Sequence, residues 1–202
     1  MNAFLRTERL TLRHFTPADL SDLATLHGHP AVMRYIDDGR PVPRATVDRE
    51  HLPAILREYD ELPTGMGCFA ATETSSGRFL GWISLRPASS VGLAGGDTEL
   101  GYRLLPSTWG KGYATEGARA VLRHAFTELG VERIVATTMT VNTASRRVME
   151  KAGLTLVRTF FEQWPAYVEG AEHGDVEYAV TRATWARSAL HSGANTPSPA
   201  EG

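Results

Sequence analysis

Trp109-Gly110-Lys111-Gly112-Tyr113-Ala114-Thr115-Glu116 stands between an apolar strand-like run, Glu99 to Leu105, and a long amphipathic helix pattern. A strand that turns through glycines into a helix start is an anion-binding device. Glycine lets the backbone approach a ligand closely, the first helical N–H groups lack internal partners, and the helix dipole favours negative charge there. A pyrophosphate is the natural guest. The run is not a P-loop, which needs Gly-x-x-x-x-Gly-Lys-Ser/Thr. Nor is it a dinucleotide fingerprint, because Thr115 stands where a third glycine belongs and the motif lies past mid-chain. Alone, Gly-x-Gly also fits an ordinary turn before a helix.

Working outward, Ala118, Val121, Leu122, Ala125, Phe126 and Leu129 recur at helical spacing, so a helix is predicted from Gly112 to Leu129, closed by Gly130. Glu132 to Val141 reads as a strand, and Asn142 caps a short helix ending at Gly153. Leu154 to Gln163 and Val176 to Arg182 are predicted strands. Upstream, Arg9 to Phe15 alternates as a half-buried strand, and Thr16-Pro17 opens a helix that ends at His27-Gly28-His29-Pro30. That His-x-His pair reads as a polar loop, not a metal site, because no second ligand cluster accompanies it. A helix from about Pro43 to Leu62 is expected to kink at Pro53. Cys68 to Thr72 and Phe79 to Leu85 form a hairpin pattern. The order β-α-α-β-β-β-α-β-α-β-β makes an α/β (α+β) protein, a mixed sheet with helices on both faces.

The 202 residues make one domain, placed at 1–188, with 189–202 expected as a disordered tail of low hydrophobicity. An apolar fraction of 42% supports a sizeable core, and a net charge of −2 gives no footprint for nucleic acid. The single cysteine, Cys68, excludes an internal disulfide and an all-cysteine metal site. No signal peptide and no apolar run near about 18 residues is read, so a cytoplasmic protein off the membrane is expected.

From Glu99 to about Leu154 the chain resembles the GNAT superfamily of acetyl-CoA-dependent N-acetyltransferases, and within it the RimJ/RimL group that acetylates protein N-termini. The residues that carry this are Trp109-Gly110-Lys111-Gly112-Tyr113-Ala114, with Trp109 for the usual Gln/Arg, and Asn142-Thr143-Ala144-Ser145 followed by Lys151-Ala152-Gly153-Leu154, with Leu154 for the usual Phe. The resemblance implies a GNAT fold of about seven mostly antiparallel strands whose splayed central strands hold acetyl-CoA. It implies cofactor contacts at Leu104, the run from Trp109 to Thr115, Asn142 and Arg147, with Lys151 near the adenosine phosphates and a solvated helix face as the alternative for Arg147 and Lys151. Backbone N–H groups near Leu100 to Tyr102 would polarise the thioester. Glu99 is the expected general base, with Glu162 second, and Ser145 the expected proton donor to the leaving thiolate. As bland alternatives, Glu99 is an edge-strand surface residue and Ser145 a first-turn helix residue. Asp37 and Asp38 lie where an acceptor amine would come, or form a solvated acidic turn. Cys68 reads as buried and structural, so direct attack in a ternary complex is expected. The acceptor is expected to be a protein N-terminal amine, with a small-molecule amine (antibiotic or polyamine) or a non-catalytic acyl-CoA sensor as alternatives. A homodimer is allowed for, and nothing in the sequence fixes the oligomeric state.

Overall fold

The computed structural model describes residues 3–93, 96–162 and 166–193, with backbone alone for 189–193. Among these residues a mixed sheet runs in the order β1-β2-β3-β4-β5-β6-β8-β7. Its strands are β1 (Ala3–Arg6), β2 (Leu10–His14), β3 (Gly67–Glu73), β4 (Phe79–Pro87), β5 (Thr98–Leu104), β6 (Arg133–Met139), β7 (Thr155–Phe160) and β8 (Asp175–Thr181). The helices are α1 (Leu20–His27), α2 (Pro30–Met33), α3 (Arg44–Thr46), α4 (Leu52–Glu61), α5 (Tyr113–Thr127), α6 (Thr143–Ala152) and α7 (Arg182–Gly193). All neighbouring strands are antiparallel except β5 and β6.

Local chemistry sets several boundaries. Asp19 accepts from the Thr16 N–H (2.7 Å) and hydroxyl (2.9 Å), which fixes the turn into α1. The kink expected at Pro53 is a π-turn over Val47–His51, after which the Leu52 N–H reaches the Val47 carbonyl. Proline has no N–H to continue the regular ladder, and the wider turn absorbs the gap. Asn142 accepts from the Ser145 N–H at 3.2 Å and starts α6.

Side chains from α5 and α6, including Ala118, Val121, Leu122 and Met149, pack on Phe69, Ile83, Leu85 and Leu100. On the other face Leu23, Leu26, Leu52 and Ile55 pack on Cys68, Ala70 and Phe79. Each fully buried Val or Leu contributes roughly 1.5–3 kcal/mol. The layer of α5 sits so close to β4 that a Cβ on Gly117 would lie 2.0 Å from Ile83 Cδ1.

Three elements depart from the sequence reading, the first being the short α2 where a loop was expected. β1 adds an eighth strand, held by Phe4 stacked on Phe69 at 3.9 Å. α7 continues through Gly193, past the point where a tail was expected, and residues 194–202 lie outside the described residues. Trp185 against Phe126 (5.3 Å) and reciprocal Thr181–Thr184 hydrogen bonds anchor that helix.

Candidate active site

β5 pairs with β6 at only two positions, Thr98↔Ile134 and Glu99↔Val135. Beyond them β5 stays with β4 as far as Leu104, and β6 stays with β8 as far as Met139. The strands part, and a cavity of about 490 Å³ opens between them. The cavity-facing edge of β5 past Glu99 therefore has no ladder partner among the described residues, and it reaches the cavity at Leu100, Gly101 and Tyr102. Backbone N–H groups on such an edge are available to a ligand.

Strand alternation sorts the chemistry onto two sides of the gap. Glu99, Gly101 and Arg103 share one face of β5 with Trp82, Ser84 and Arg86 of β4, the face covered by α1 and α4. Leu100 and Tyr102 point to the side of α5 and α6.

Glu99 is shut off from solvent at Oε2, which has no hydrogen-bond partner among the described residues. Burial pushes its carboxyl up to about 7; Arg86, its cross-strand neighbour, pulls the other way and Glu58 adds to the rise. Arg86 is itself paired with Glu58 at 2.8 Å, which limits its pull on Glu99.

On the other side the Tyr102 hydroxyl lies 2.9 Å from Ser145 Oγ and 3.0 Å from the Ser145 carbonyl. Burial raises the Tyr102 pKa, so it stays a neutral phenol that can donate. Asn142, which caps α6, also gives its side-chain N–H to Thr138 Oγ1 at 3.1 Å. Glu99, Ser145, Asn142 and Glu162 all line the cavity. Glu162 is exposed at its rim, its N–H bonded to Asp175 at 3.3 Å.

The glycine turn opens α5. Gly110 (φ +74) and Gly112 (φ +84) both take the left-handed conformation that other residues adopt only at a cost. The helix ladder starts with the Glu116 N–H to the Gly112 carbonyl at 3.0 Å, so the amides of Tyr113, Ala114 and Thr115 precede it. Arg9 ties this end down by bonding the Lys111 carbonyl (2.9 Å) and the Glu116 carboxylate (2.6 Å). Burial opposes ionisation of Glu116, but hydrogen bonds from Thr7 and Arg9 outweigh it and hold the carboxyl below its usual range.

Some predicted contacts are placed differently. The side chains of Leu104 and Tyr113 pack into a core cluster with Leu10 and Leu80, so these residues offer a cofactor backbone alone. The Leu104 carbonyl is already taken by the Trp109 indole at 2.7 Å, and Lys111 Nζ bonds the Ser107 carbonyl at 2.8 Å. Gly112 and Thr115 border a separate groove along α5 with Arg119 and Lys151. Arg147 is exposed on α6. Asp37 lines the cavity with a left-handed φ of 52, whereas Asp38 serves a turn by accepting from the Arg40 N–H at 3.1 Å. Cys68 is fully buried, and burial pushes its thiol up to about 12. His27 is not in a polar loop: it is buried, accepts from Trp82 Nε1 (3.3 Å) and meets His51 Nδ1 (2.9 Å), and burial lowers it to about 3. His29 caps α2 instead.

The sequence reading passed over the side chains of Tyr102, Trp82, Arg86 and Arg103. For two of them a signal was present, since Glu99, Gly101 and Arg103 alternate with Leu100 and Tyr102 along one strand.

A family model described as an acetyltransferase (GNAT) domain matches residues 9–155. The chain belongs to the GNAT acetyltransferase family. It is similar to an Aspergillus fumigatus protein named FsC-acetyl coenzyme A-N(2)-transacetylase, 38% identical over 162 residues, 78% of this chain and 67% of that one. It is also similar to the Bacillus subtilis putative ribosomal N-acetyltransferase YdaF, 28% identical over 185 residues, 88% of this chain and 94% of the other. A GNAT-family acetyltransferase structure from Bacillus anthracis superposes with a TM-score of 0.72 at 26% identity, covering 89% of this chain and 98% of that one. This GNAT protein is an acyltransferase, and acetyl-CoA is its cosubstrate. Its residues fit that molecule: among the described residues the first amides of α5 precede the helix ladder, and a β5 edge without a strand partner borders the gap beside Glu99. Among the described residues no helix is long and apolar enough to cross a membrane.

Proposed function

We propose that this GNAT enzyme acetylates the primary amine of a small molecule, with Glu99 as general base. One observation carries the reading: a buried carboxyl that titrates near 7 sits where β5 and β6 separate. A base is most useful when its pKa lies near the working pH. When bound, acetyl-CoA supplies an activated acetyl thioester. The amides of Tyr113 to Thr115 hold the pyrophosphate. The β5 edge from Leu100 to Tyr102 polarises the thioester carbonyl. Glu99, on the α1 and α4 side, takes the amine proton as the N–C bond forms and the C–S bond breaks. Ser145, on the α6 side and held by Tyr102, gives a proton to the departing sulfur and takes one back from solvent. Glu99 releases the amine proton to solvent, so that one proton passes from amine to thiol overall. Placing base and acid on opposite faces of the sheet lets the amine arrive on one face while the thiol leaves on the other.

Two observations favour a small acceptor over a protein N-terminus. The relative at 38% identity is named as an N(2)-transacetylase, whereas the one named as a putative ribosomal enzyme stands at 28%. The cavity is also bordered by Tyr35, Ile36 and Asp37, and the chain on either side of them is pinned: Arg34 pairs with Glu169 at 3.0 Å, and Gly39 lies against buried Val168. The N-terminal reading keeps the support of Trp109, common in the RimJ/RimL group. The test is an acetyl-transfer screen of amino acids, polyamines, aminoglycosides and N-terminal peptides with mass-spectrometric detection. Transfer to small amines supports the proposal, and transfer to peptides alone overturns it.

A further inference from the structure

Arg103 is the one basic side chain among the described residues lining the cavity, and it makes no ion pair there, although Asp37 lines the same cavity and acts on it through space. Arg86 pairs with Glu58 and Arg13 with Asp19, but no described carboxylate lies within 4.0 Å of the Arg103 guanidinium. Among the described residues its Nε, shut off from solvent, has no partner, and Nη1 reaches only the Met33 thioether at 3.4 Å, a weak acceptor. Burial lowers its pKa to about 10, with Asp37 working against that. A guanidinium held like this is costly until a planar anion meets it.

The surroundings hold it ready. The guanidinium stacks over the Trp82 ring at 5.2 Å. Trp82 gives its N–H to His27 Nε2, so neutral His27 carries its proton on Nδ1 and gives it to His51. The indole is thereby fixed. Arg103 and Glu99 lie on one face of β5, four residues and about 13 Å apart between Cα atoms. Between them Gly101 keeps the floor open: a Cβ there would lie 2.5 Å from Ser84 Oγ and 3.3 Å from Trp82 Cζ3.

We infer that Arg103 binds a carboxylate of the acceptor, so the substrate is an amine that also carries a carboxylate, with its nitrogen at Glu99. This rests on the small-molecule reading above. A site built around a dry guanidinium rejects an analogue that lacks the matching anion.

The test compares kcat/KM for α-, β- and γ-amino acids and lysine with that for each one's carboxamide, corrected to the neutral amine. The best acid is expected to exceed its amide by about 10–100-fold, the range of hydrogen bonds to a charged group. Arg103→Gln brings that ratio close to one, and Arg103→Lys leaves an intermediate value. Because the readout is a ratio, partial loss of fold cancels. A ratio near one in the natural enzyme, or one unchanged in Arg103→Gln, overturns the inference; Arg103 then serves Asp37 or the fold. If neither member of any pair is acetylated, the small-molecule reading is decided separately by the polyamines, aminoglycosides and peptides of the screen above. Calorimetry of the CoA-saturated protein with the N-acetylated acids and amides then decides on Arg103: an acid preference lost in Arg103→Gln supports its role, and no preference overturns it.

Discussion

Glu99→Gln should make the protein more stable at alkaline pH. The Glu99 carboxyl titrates near 7 in the fold, against an ordinary value of 4.5. Between those values the native state holds a proton that the unfolded state has lost. Stability therefore falls as pH rises through that window: the contribution is intact below about 4.5 and gone above 7. A difference of about 2.5 pH units at 1.36 kcal/mol each sets a ceiling of about 3 kcal/mol. Glutamine keeps the shape and has no charge to bury. Urea denaturation at pH 5 should find the two proteins similar. At pH 8.5 Glu99→Gln should be more stable by about 1–3 kcal/mol, or roughly 2–4 °C per kcal/mol in a melt. A natural protein that is the more stable of the two at pH 8.5 would refute the reasoning, because Arg86 would then outweigh burial.

Gly112→Val forces a β-branched residue to φ +84, with its Cβ 3.3 Å from Arg9 Nη2, and should weaken acetyl-CoA binding at least tenfold in a folded protein, read by calorimetry. Ser145→Ala should lower kcat far more than acetyl-CoA affinity, and Tyr102→Phe, which leaves the serine without its 2.9 Å partner, should lower kcat less; equal kcat in all three would make Ser145 a helix-end residue. Gly117→Ala should cost about 1–3 kcal/mol by overpacking against Ile83, seen as a lower Tm.

What the sequence made legible was local. The turn through Gly110 and Gly112, the Asn142 cap and the period of α5 are written in neighbouring residues, and each formed where it was read. The mixed sheet with helices on both faces followed from element order. What escaped depends on distant partners. β1 is four residues long, too short to alternate, and rests on Phe4 meeting Phe69. α7 hides in a stretch of low hydrophobicity and holds through Trp185 on Phe126. Glu99 was singled out, but its titration near 7 arises from burial with Glu58, 41 positions away in the chain, and Arg86 competing over it. His27 looked like half of a surface pair until Trp82 and His51 closed around it. Arg103 lay in plain view on the strand, yet only the fold shows that its buried Nε has no hydrogen-bond partner among the described residues.

The most direct test of Glu99 as the base is the pH dependence of kcat/KM for the natural enzyme and Glu99→Gln on one identified acceptor. The natural enzyme should show a rising limb with an apparent pKa near 7, which Glu99→Gln lacks. The rate ratio should be about 10²–10⁴ near neutrality, the usual worth of a general base. It should shrink at higher pH, where more acceptor arrives as neutral amine, later for a lysine-like amine near 10.4 than for an α-amine near 7.7–8.0. Parallel profiles with a constant ratio from pH 6 to about 9.5, the range spanning the α-amine value, would contradict the account and leave Glu99 a positioning residue.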